Sequence, residues 1–415
     1  MRMINGHRMQ GLMGIKGCSE IPECYGIHGV HESGGINDSS SRDSLSITQS
    51  PSGRHPGSQL RTETGGAKVY RPLLGFNKTR LIATCQALDI EWFEDLTNKD
   101  PTLTTRNAIR HMYSSHAMPA ALSNTSILAL SDRFKEKADS QQNEMNSWLA
   151  QSKITRFETR SGILGIRFPG LSHLRSSSGE GTGRDHERVA AGLLRRVIML
   201  VTPEENVRLS SLHGAAKHLF AELFVDHEVH YQPTKFTVAG VQFDPSKTSD
   251  GRYAKPEWLL SRQPHPSPSS NRPLILIPPC TSISTSNPSN PLWTPWTLYD
   301  NRYWIRLQNL TLTTLLIRPF SKDDLKPFQE SLPKADRDRL RSILKEIAPG
   351  DVRWTLPAVV IRGRYGCEKV QCLPTLDVCG VEAGRMVNWE VRYKKVDVAE
   401  LPMPELPPEE LSAAK

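Results

Sequence analysis

Long apolar runs are missing from this chain: none of its 415 residues falls in one approaching the ~20 needed to cross a bilayer as a helix. A membrane-spanning helix is therefore excluded. Cysteine is sparse as well. The seven cysteines, at 18, 24, 85, 280, 367, 372 and 379, include no Cys-x-x-Cys pair. Neither a zinc knuckle nor a dithiol redox site is supported, and free thiols in a reducing compartment are expected. A helical zinc pair is lacking too, because His213 and His218 lie five residues apart and diverge by more than a right angle on a helix. No Gly-x-Ser-x-Gly elbow or Ser-His-Asp order offers a covalent nucleophile. The N-terminus, MRMINGHRMQGLMGIKG, has no apolar core with a small-residue cleavage site, so it is not a secretory signal. Being basic and poor in acids, it leaves a mitochondrial presequence open.

What the chain does have is a modest basic excess, +8 overall with 23% of residues charged. That permits a polyanionic partner without proving one, and binding would depend on where the basic residues cluster. One stretch concentrates polar residue types at spacings that a packed core does not require: Arg71 to His111, RPLLGFNKTRLIATCQALDIEWFEDLTNKDPTLTTRNAIRH. Asn77 is a good helix N-cap, and Leu81, Ile82, Cys85 and Leu88 recur on one helical face, which predicts a helix packed on a sheet. Ile90, Trp92 and Phe93 would begin the return. The turn Glu94 to Pro101 follows, with Asp95, Asn98 and Asp100 able to cap helices and orient cations. Thr104 or Thr105 caps a second helix that carries Arg106 and Arg110 on one face. Two guanidinium groups so placed suit a phosphate clamp. They equally suit a structural network in which Asp95 and Asp100 neutralise them. Spacing alone leaves both open.

The succession Arg71-Pro-Leu-Leu, Glu94-Asp95-x-Thr97-Asn98-x-Asp100 and Arg106-Asn107-x-Ile109-Arg110-His111 resembles the end of the catalytic domain of tRNA(Ile)-lysidine synthases, a group of PP-loop ATP-pyrophosphatases. The resemblance implies ATP, with Mg2+ beside it, as cofactor. It implies tRNA(Ile) and free lysine as partners, and an ATP-dependent carbon–nitrogen ligation that forms lysidine at the wobble cytidine. Arg106 and Arg110 would then make phosphate or transition-state contacts. Asp95, Asn98 and Asp100 would orient them. Asn107 would hydrogen-bond nucleotide or backbone, and Arg71 and His111 would lie at the tRNA side. Similarity to fungal, mitochondrial-type members extends more loosely over Trp296 to Arg306, Ile317 to Phe320 and Arg353 to Pro357, which implies a mitochondrial protein, with the cytoplasm as the alternative.

The family's phosphate loop needs a buried strand and then Ser-Gly-Gly-x-Asp-Ser opening a helix. The near match, Ser33 to Ser39, carries an extra residue, follows no apolar strand and precedes Ser-rich sequence. It is read as a decoy. Arg2-Met3 with Gly11-Leu12-Met13-Gly14 resembles a later turn of the same domain, so the expectation is a chain lacking its nucleotide-binding half and inactive alone. The expected fold class is α/β. Residues 1–32 are a remnant of a PP-loop, Rossmann-like domain of the adenine nucleotide alpha hydrolase type. Residues 33–66 form a disordered Ser/Gly-rich insertion, and 67–117 complete the catalytic domain. A helical region with a hairpin follows at 118–230, then an α+β, tRNA-contacting region at 231–400 and a flexible tail at 401–415.

Within these segments local patterns predict a long polar helix from Met118 to Gln151 and a hairpin about Ser161-Gly162. Arg184 to Val201 is expected as a helix. Thr202-Pro-Glu-Glu reads as a capping box starting another. Hairpins are expected about Ala239-Gly240 and Asp300-Asn301. Around the last, Trp296, Arg302, Tyr303, Trp304 and Arg306 could stack on unpaired bases or form an inward aromatic core with snorkelling arginines.

Overall fold

The computed structural model of the chain describes residues 2–5, 9–30, 59–63, 67–170, 183–221, 233–246, 256–266, 272–279, 293–363 and 366–394. It forms two compact units, Met1–Ile21 with Ala67–Asn143, and Pro22–Gly66 with Glu144–Lys415. Elements are mixed α/β, as the composition of motifs predicts.

In the first unit, strand β1 (Cys18–Glu20) pairs antiparallel with β2 (Lys68–Tyr70). Asn77 caps helix α1 (Lys78–Ala87) through its side-chain oxygen, which accepts from Arg80 N at 2.8 Å. Among the described residues the expected apolar face of α1 meets no sheet. No residue of α1 is buried, and Leu88 is its C-cap and 63% exposed. Among the described residues the unit's sheet is β1–β2 alone. Trp92 and Phe93 begin no strand and stay exposed. Helix α2 (Thr105–Ser115) follows, and Tyr113 at its C-terminal end donates to the Leu122 carbonyl at 2.5 Å. Helix α3 (Asn124–Gln151) belongs to this unit up to residue 143; its C-terminal residues Trp148 and Leu149 are buried in the second unit's core.

The second unit is built on antiparallel sheets. One orders β3 (Lys153–Glu158), β4 (Ile163–Arg167), β7 (Glu257–Arg262), β6 (Val241–Ser246) and β5 (Phe236–Val238) as 3-4-7-6-5. The predicted hairpins are present because their turns can hold positive φ: Gly162, Ala239-Gly240 and Asp300-Asn301 all do. Helix α4 (Gly183–Met199) lays Val189, Leu193 and Val197 against this sheet's core, with Val207, Leu212 and Ala216 beside them. The capping box at Thr202 starts no helix. Thr202 Oγ1 accepts from Glu204 N but donates to Ala239 O at 2.6 Å, and helix α5 begins only at His213, spanning His213–Leu219. A long-range partner has taken the hydroxyl.

A second sheet orders β14 (Val378–Cys379), β13 (Glu368–Leu373), β12 (Pro357–Arg362), β11 (Leu315–Pro319) and β8 (Ile275–Ile277). Strand alternation divides it between two cores. Leu315, Ile317 and Val359 enter the main one, whereas Leu316, Ala358 and Val360 meet helices α6 (Lys322–Glu330) and α7 (Lys334–Glu346). The third sheet orders β15 (Val387–Tyr393), β10 (Tyr303–Asn309) and β9 (Thr297–Tyr299). Residues 61–63, at the end of the tract expected to be a spacer, run alongside β15: Glu63 N donates to Tyr393 O, and Tyr393 N donates to Arg61 O. The rest of that tract, apart from 59–63, lies outside the described residues.

At the β9–β10 turn a charge is buried and matched. Asp300 accepts from Arg262 and from the fully buried Arg302, whose Nη2 also donates to Thr355 O at 2.8 Å. Burial pushes the Asp300 carboxyl up, but the Arg302 and Arg262 guanidinium groups outweigh it and hold it below the ordinary range. Burial, reinforced by Arg262, pushes the neighbouring His265 imidazole down to about 4. Replacing Asp300 by Asn is expected to destabilise this unit by about 3–5 kcal/mol in denaturant titration, because two guanidinium groups lose their buried counter-charge. His265 stays neutral in the fold but protonates in the unfolded chain below its ordinary value. Stability is therefore full above pH ~6.5 and falls as the pH drops towards about 4, by on the order of 2 kcal/mol after discounting the ring's partial exposure. A His265→Gln variant is expected to flatten that part of the stability–pH curve.

Candidate functional site

The turn before α2 is held by two short repeats of one device. Asp95 accepts from both the backbone N (3.0 Å) and Oγ1 (2.6 Å) of Thr97. Asp100 does the same with Thr102, at 2.8 and 2.6 Å. These are Asx turns, in which a short carboxylate imitates a backbone acceptor. The hydrogen bonds from the Thr97 side chain and backbone keep the Asp95 carboxyl below its ordinary range, and Thr102 does so for Asp100. Both carboxylates are thus ionised and locally satisfied at neutral pH. Thr104 Oγ1 caps α2 by accepting from Asn107 N at 3.1 Å.

Asn107 joins the two parts. It is 7% exposed, and its Nδ2 donates to the carbonyls of Thr97 and Asp100, each at 2.9 Å. Of the roles the sequence allows it, the backbone one is what the structure shows. Arg110 Nη1 donates to Asn98 Oδ1 at 2.8 Å. Arg106, on the same face one turn earlier, is exposed and makes no hydrogen bond or ion pair with any described residue. Neither arginine pairs with Asp95 or Asp100. The closed ion network allowed by spacing is therefore not formed, and the two aspartates shape the turn instead of orienting the arginines. Only Asn98 does that, for Arg110.

Two expected members bond elsewhere. Arg71 Nη1 donates to Lys16 O (3.2 Å) and Ser19 Oγ (2.9 Å), which ties β2 to the N-terminal segment, and among the described residues no hydrogen bond or ion pair joins it to the turn. His111 is exposed and lies 3.5 Å from Ser115 Oγ on its own helix. Thr97, part of the motif that carries the resemblance, and Thr102, which the sequence reading leaves out, both hold the turn without being among the expected site residues. Their signal was in the sequence, an Asp-x-Thr repeated five residues on. Among the described residues no group of three His, Cys, Asp or Glu side chains could hold a metal ion.

In the second unit, the residues about Asp300 follow the inward-core reading as far as Trp304, which is buried. Arg302 and Tyr303 are core. Arg306 instead lies between two indoles, 5.0 Å from the Trp293 ring and 4.8 Å from that of Trp296. Arg392 also lies over Trp296, at 4.9 Å, and His28 stacks on the same ring at 4.6 Å. His28 Nε2 reaches the buried Glu63 carboxylate at 2.5 Å.

Comparison with known proteins first gives the class. A family model described as a PP-loop domain matches residues 44–116, which contain the whole Asp95–Arg110 arrangement. The match begins after the Ser33–Ser39 near match and takes in part of the tract read as a spacer. A particular relative follows. Over 296 residues, 70% of its length, the chain is 26% identical to a probable tRNA(Ile)-lysidine synthase of Schizosaccharomyces pombe. The chain spans about half the length of that protein, 54%. The two findings support the kinship with tRNA(Ile)-lysidine synthases that Arg71 to His111 carries.

Replacing Asn107 by Ala removes the donor for two carbonyls and is expected to cost the first unit about 1–3 kcal/mol. Hydrogen exchange is expected to rise specifically across 95–104. Thr104→Ala, which loses one cap bond, is expected to cost about 1 kcal/mol.

Proposed function

We propose that this chain serves the ATP-dependent ligation of free lysine to the wobble cytidine of tRNA(Ile), with Arg106 and Arg110 facing nucleic-acid or nucleotide phosphate. One observation carries the reading. Both guanidinium groups project from one face of a capped helix, while the carboxylates of Asp95 and Asp100 are committed to Thr97 and Thr102. Their positive charge is left for something outside the turn, and a guanidinium fork matches phosphate oxygens. Arg110 is aimed by a neutral amide, which fixes its geometry without cancelling its charge.

ATP, with Mg2+, would supply the activation that lets the amine of lysine displace AMP. The unpaired Arg106 fits a phosphate of such a group, and the pair's contribution would be binding plus neutralisation of developing charge. The same kinship makes the mitochondrion the proposed compartment, with the cytoplasm as the alternative. A second reading is favoured by the extra residue that interrupts the phosphate-loop pattern at Ser33–Ser39: the chain binds tRNA but forms no lysidine by itself. Incubating it with tRNA(Ile), ATP and lysine decides between the two, since lysidine in the digested tRNA supports the first reading and its absence beside intact tRNA binding supports the second.

For either reading, Arg106→Ala and Arg110→Ala are each expected to weaken tRNA(Ile) binding. Each is expected to lower the slope of log K against log salt by about 1, the loss of roughly one phosphate contact. Arg106→Glu is expected to weaken it further. Unchanged affinity and unchanged slope in all three variants would remove the arginine pair from the interface.

A further inference from the structure

The β13–β14 edge of the second sheet brings together two sulfur atoms that the reading of Arg106 and Arg110 does not use. The segment Cys372-Leu-Pro-Thr-Leu-Asp-Val-Cys379 is a tight hairpin. Pro374 ends β13, since proline has no N–H to give a ladder. Leu376 N then donates to Leu373 O at 3.1 Å, and Asp377 takes a φ of 53°, the left-handed conformation that aspartate tolerates. This turn sets the register: Leu373 pairs with Val378, and Cys372 with Cys379. A search for Cys-x-x-Cys finds only cysteines on one local turn, so the spacing of these two gives no such signal.

Directly opposed residues of an antiparallel pair share a face of the sheet. Leu373 and Val378 both enter the core beneath α6 and α7. Cys372 and Cys379 therefore turn to the other side, where Cys372 is fully buried in the main core and Cys379, partly exposed, packs against it. Gly380 N donates to Gln371 O at 2.9 Å, which makes the neighbouring rung a hydrogen-bonded one. By alternation the cysteine rung is the kind without backbone bonds, in which opposed Cα atoms approach to about 4.5 Å and side chains lie nearest. A disulfide spans Cα separations of about 4.4–6.8 Å. Both residues are thiols in the structure. One is reachable from solvent and the other is not, the arrangement of an attacking and a resolving cysteine.

We propose that Cys372 and Cys379 are a reversible dithiol site whose substrate is a low-molecular-weight disulfide. The Cys379 thiolate attacks one sulfur of that disulfide: a mixed disulfide forms, the small S–S bond breaks, and one small thiol departs with the proton Cys379 gave up. The Cys372 thiolate then attacks the Cys379 sulfur. The cross-strand bond forms, and the second small thiol leaves with the proton of Cys372. Two protein thiols are oxidised and one small disulfide is reduced to two thiols, so an excess of small thiol reverses the exchange. Strand β14 is two residues long and, among the described residues, pairs with β13 alone. The bond staples this edge, from which the chain runs on to β15.

The test incubates the folded full chain with oxidised glutathione, blocks remaining thiols by alkylation and reads the peptides by mass spectrometry. The peptide holding both cysteines is expected unalkylated and lacking two hydrogens, and alkylated again after excess reduced glutathione. Hydrogen exchange at Val378 and Cys379 is expected to slow several-fold in the oxidised chain. Cys372→Ser is expected to leave Cys379 carrying one glutathione. Cys379→Ser is expected to leave Cys372 unmodified, and Cys367→Ser to change nothing at the pair. A thermal melt confirms that each variant is folded, and the wild-type peptide decides the matter whether or not Cys372→Ser folds. The proposal is overturned if the wild-type pair stays fully alkylatable, if the bond forms only after denaturation, or if either cysteine bonds to another cysteine of the chain instead.

Discussion

One side-chain amide sets the geometry on which the functional reading rests. The two hydrogen bonds from Asn107 Nδ2 to the carbonyls of Thr97 and Asp100 clamp the acidic turn onto the first turn of α2. A buried side-chain amide left without acceptors is expensive, so the clamp holds the register between turn and helix. Because Asp95 and Asp100 are already engaged by threonines two residues on, the clamp brings acidic backbone near the arginines without bringing acidic side chains onto them. The result is a rigid mount with an unspent positive charge at its surface.

The second unit depends on a different kind of fixed charge. Asp300 and Asn301 both take positive φ, the geometry that a tight hairpin between β9 and β10 demands. The aspartate in that turn then anchors Arg302, which reaches the Ser161 and Thr355 carbonyls, while Asn301 donates to Pro203 O. Three distant segments therefore meet at one hairpin. Tyr393 OH donates to Leu200 O and Lys394 Nζ to Thr202 O, which pins the following strand to the same region. With the inner side of β10 and β15 fastened in this way, the positions of Arg306 and Arg392 on the outer side follow from the pleat.

Local chemistry was legible in the sequence and long-range partnership was not. The caps at Asn77 and Thr104 and the turns at Gly162, Ala239-Gly240 and Asp300-Asn301 are decided within a few residues, and each is where the pattern puts it. The apolar face of α4 was equally readable from its period. Thr202 misled because a capping hydroxyl can be claimed by a carbonyl far along the chain, here Ala239. The face of α1 misled because periodicity marks a side as apolar without saying whether a partner covers it. At the site, the grouping of Asn98, Asn107 and Arg110 was visible from spacing and resemblance, but the direction of Asp95 and Asp100 was not. Ion pairing and Asx turns draw on the same residue types, and only the Asp-x-Thr repeat tells them apart. Seating of Glu63 under His28 and beside β15 had no local signal at all.

The central claim, that the α2 arginine face meets a bound nucleic acid, is most directly tested by photo-crosslinking. A photoreactive amino acid placed at position 106 of the full chain, irradiated with labelled tRNA(Ile), should give a crosslink that excess unlabelled tRNA(Ile) removes. The same group at position 128 of α3, at an exposed leucine, should give none. A chain that binds tRNA(Ile) yet crosslinks from position 106 no better than from 128 would contradict the account.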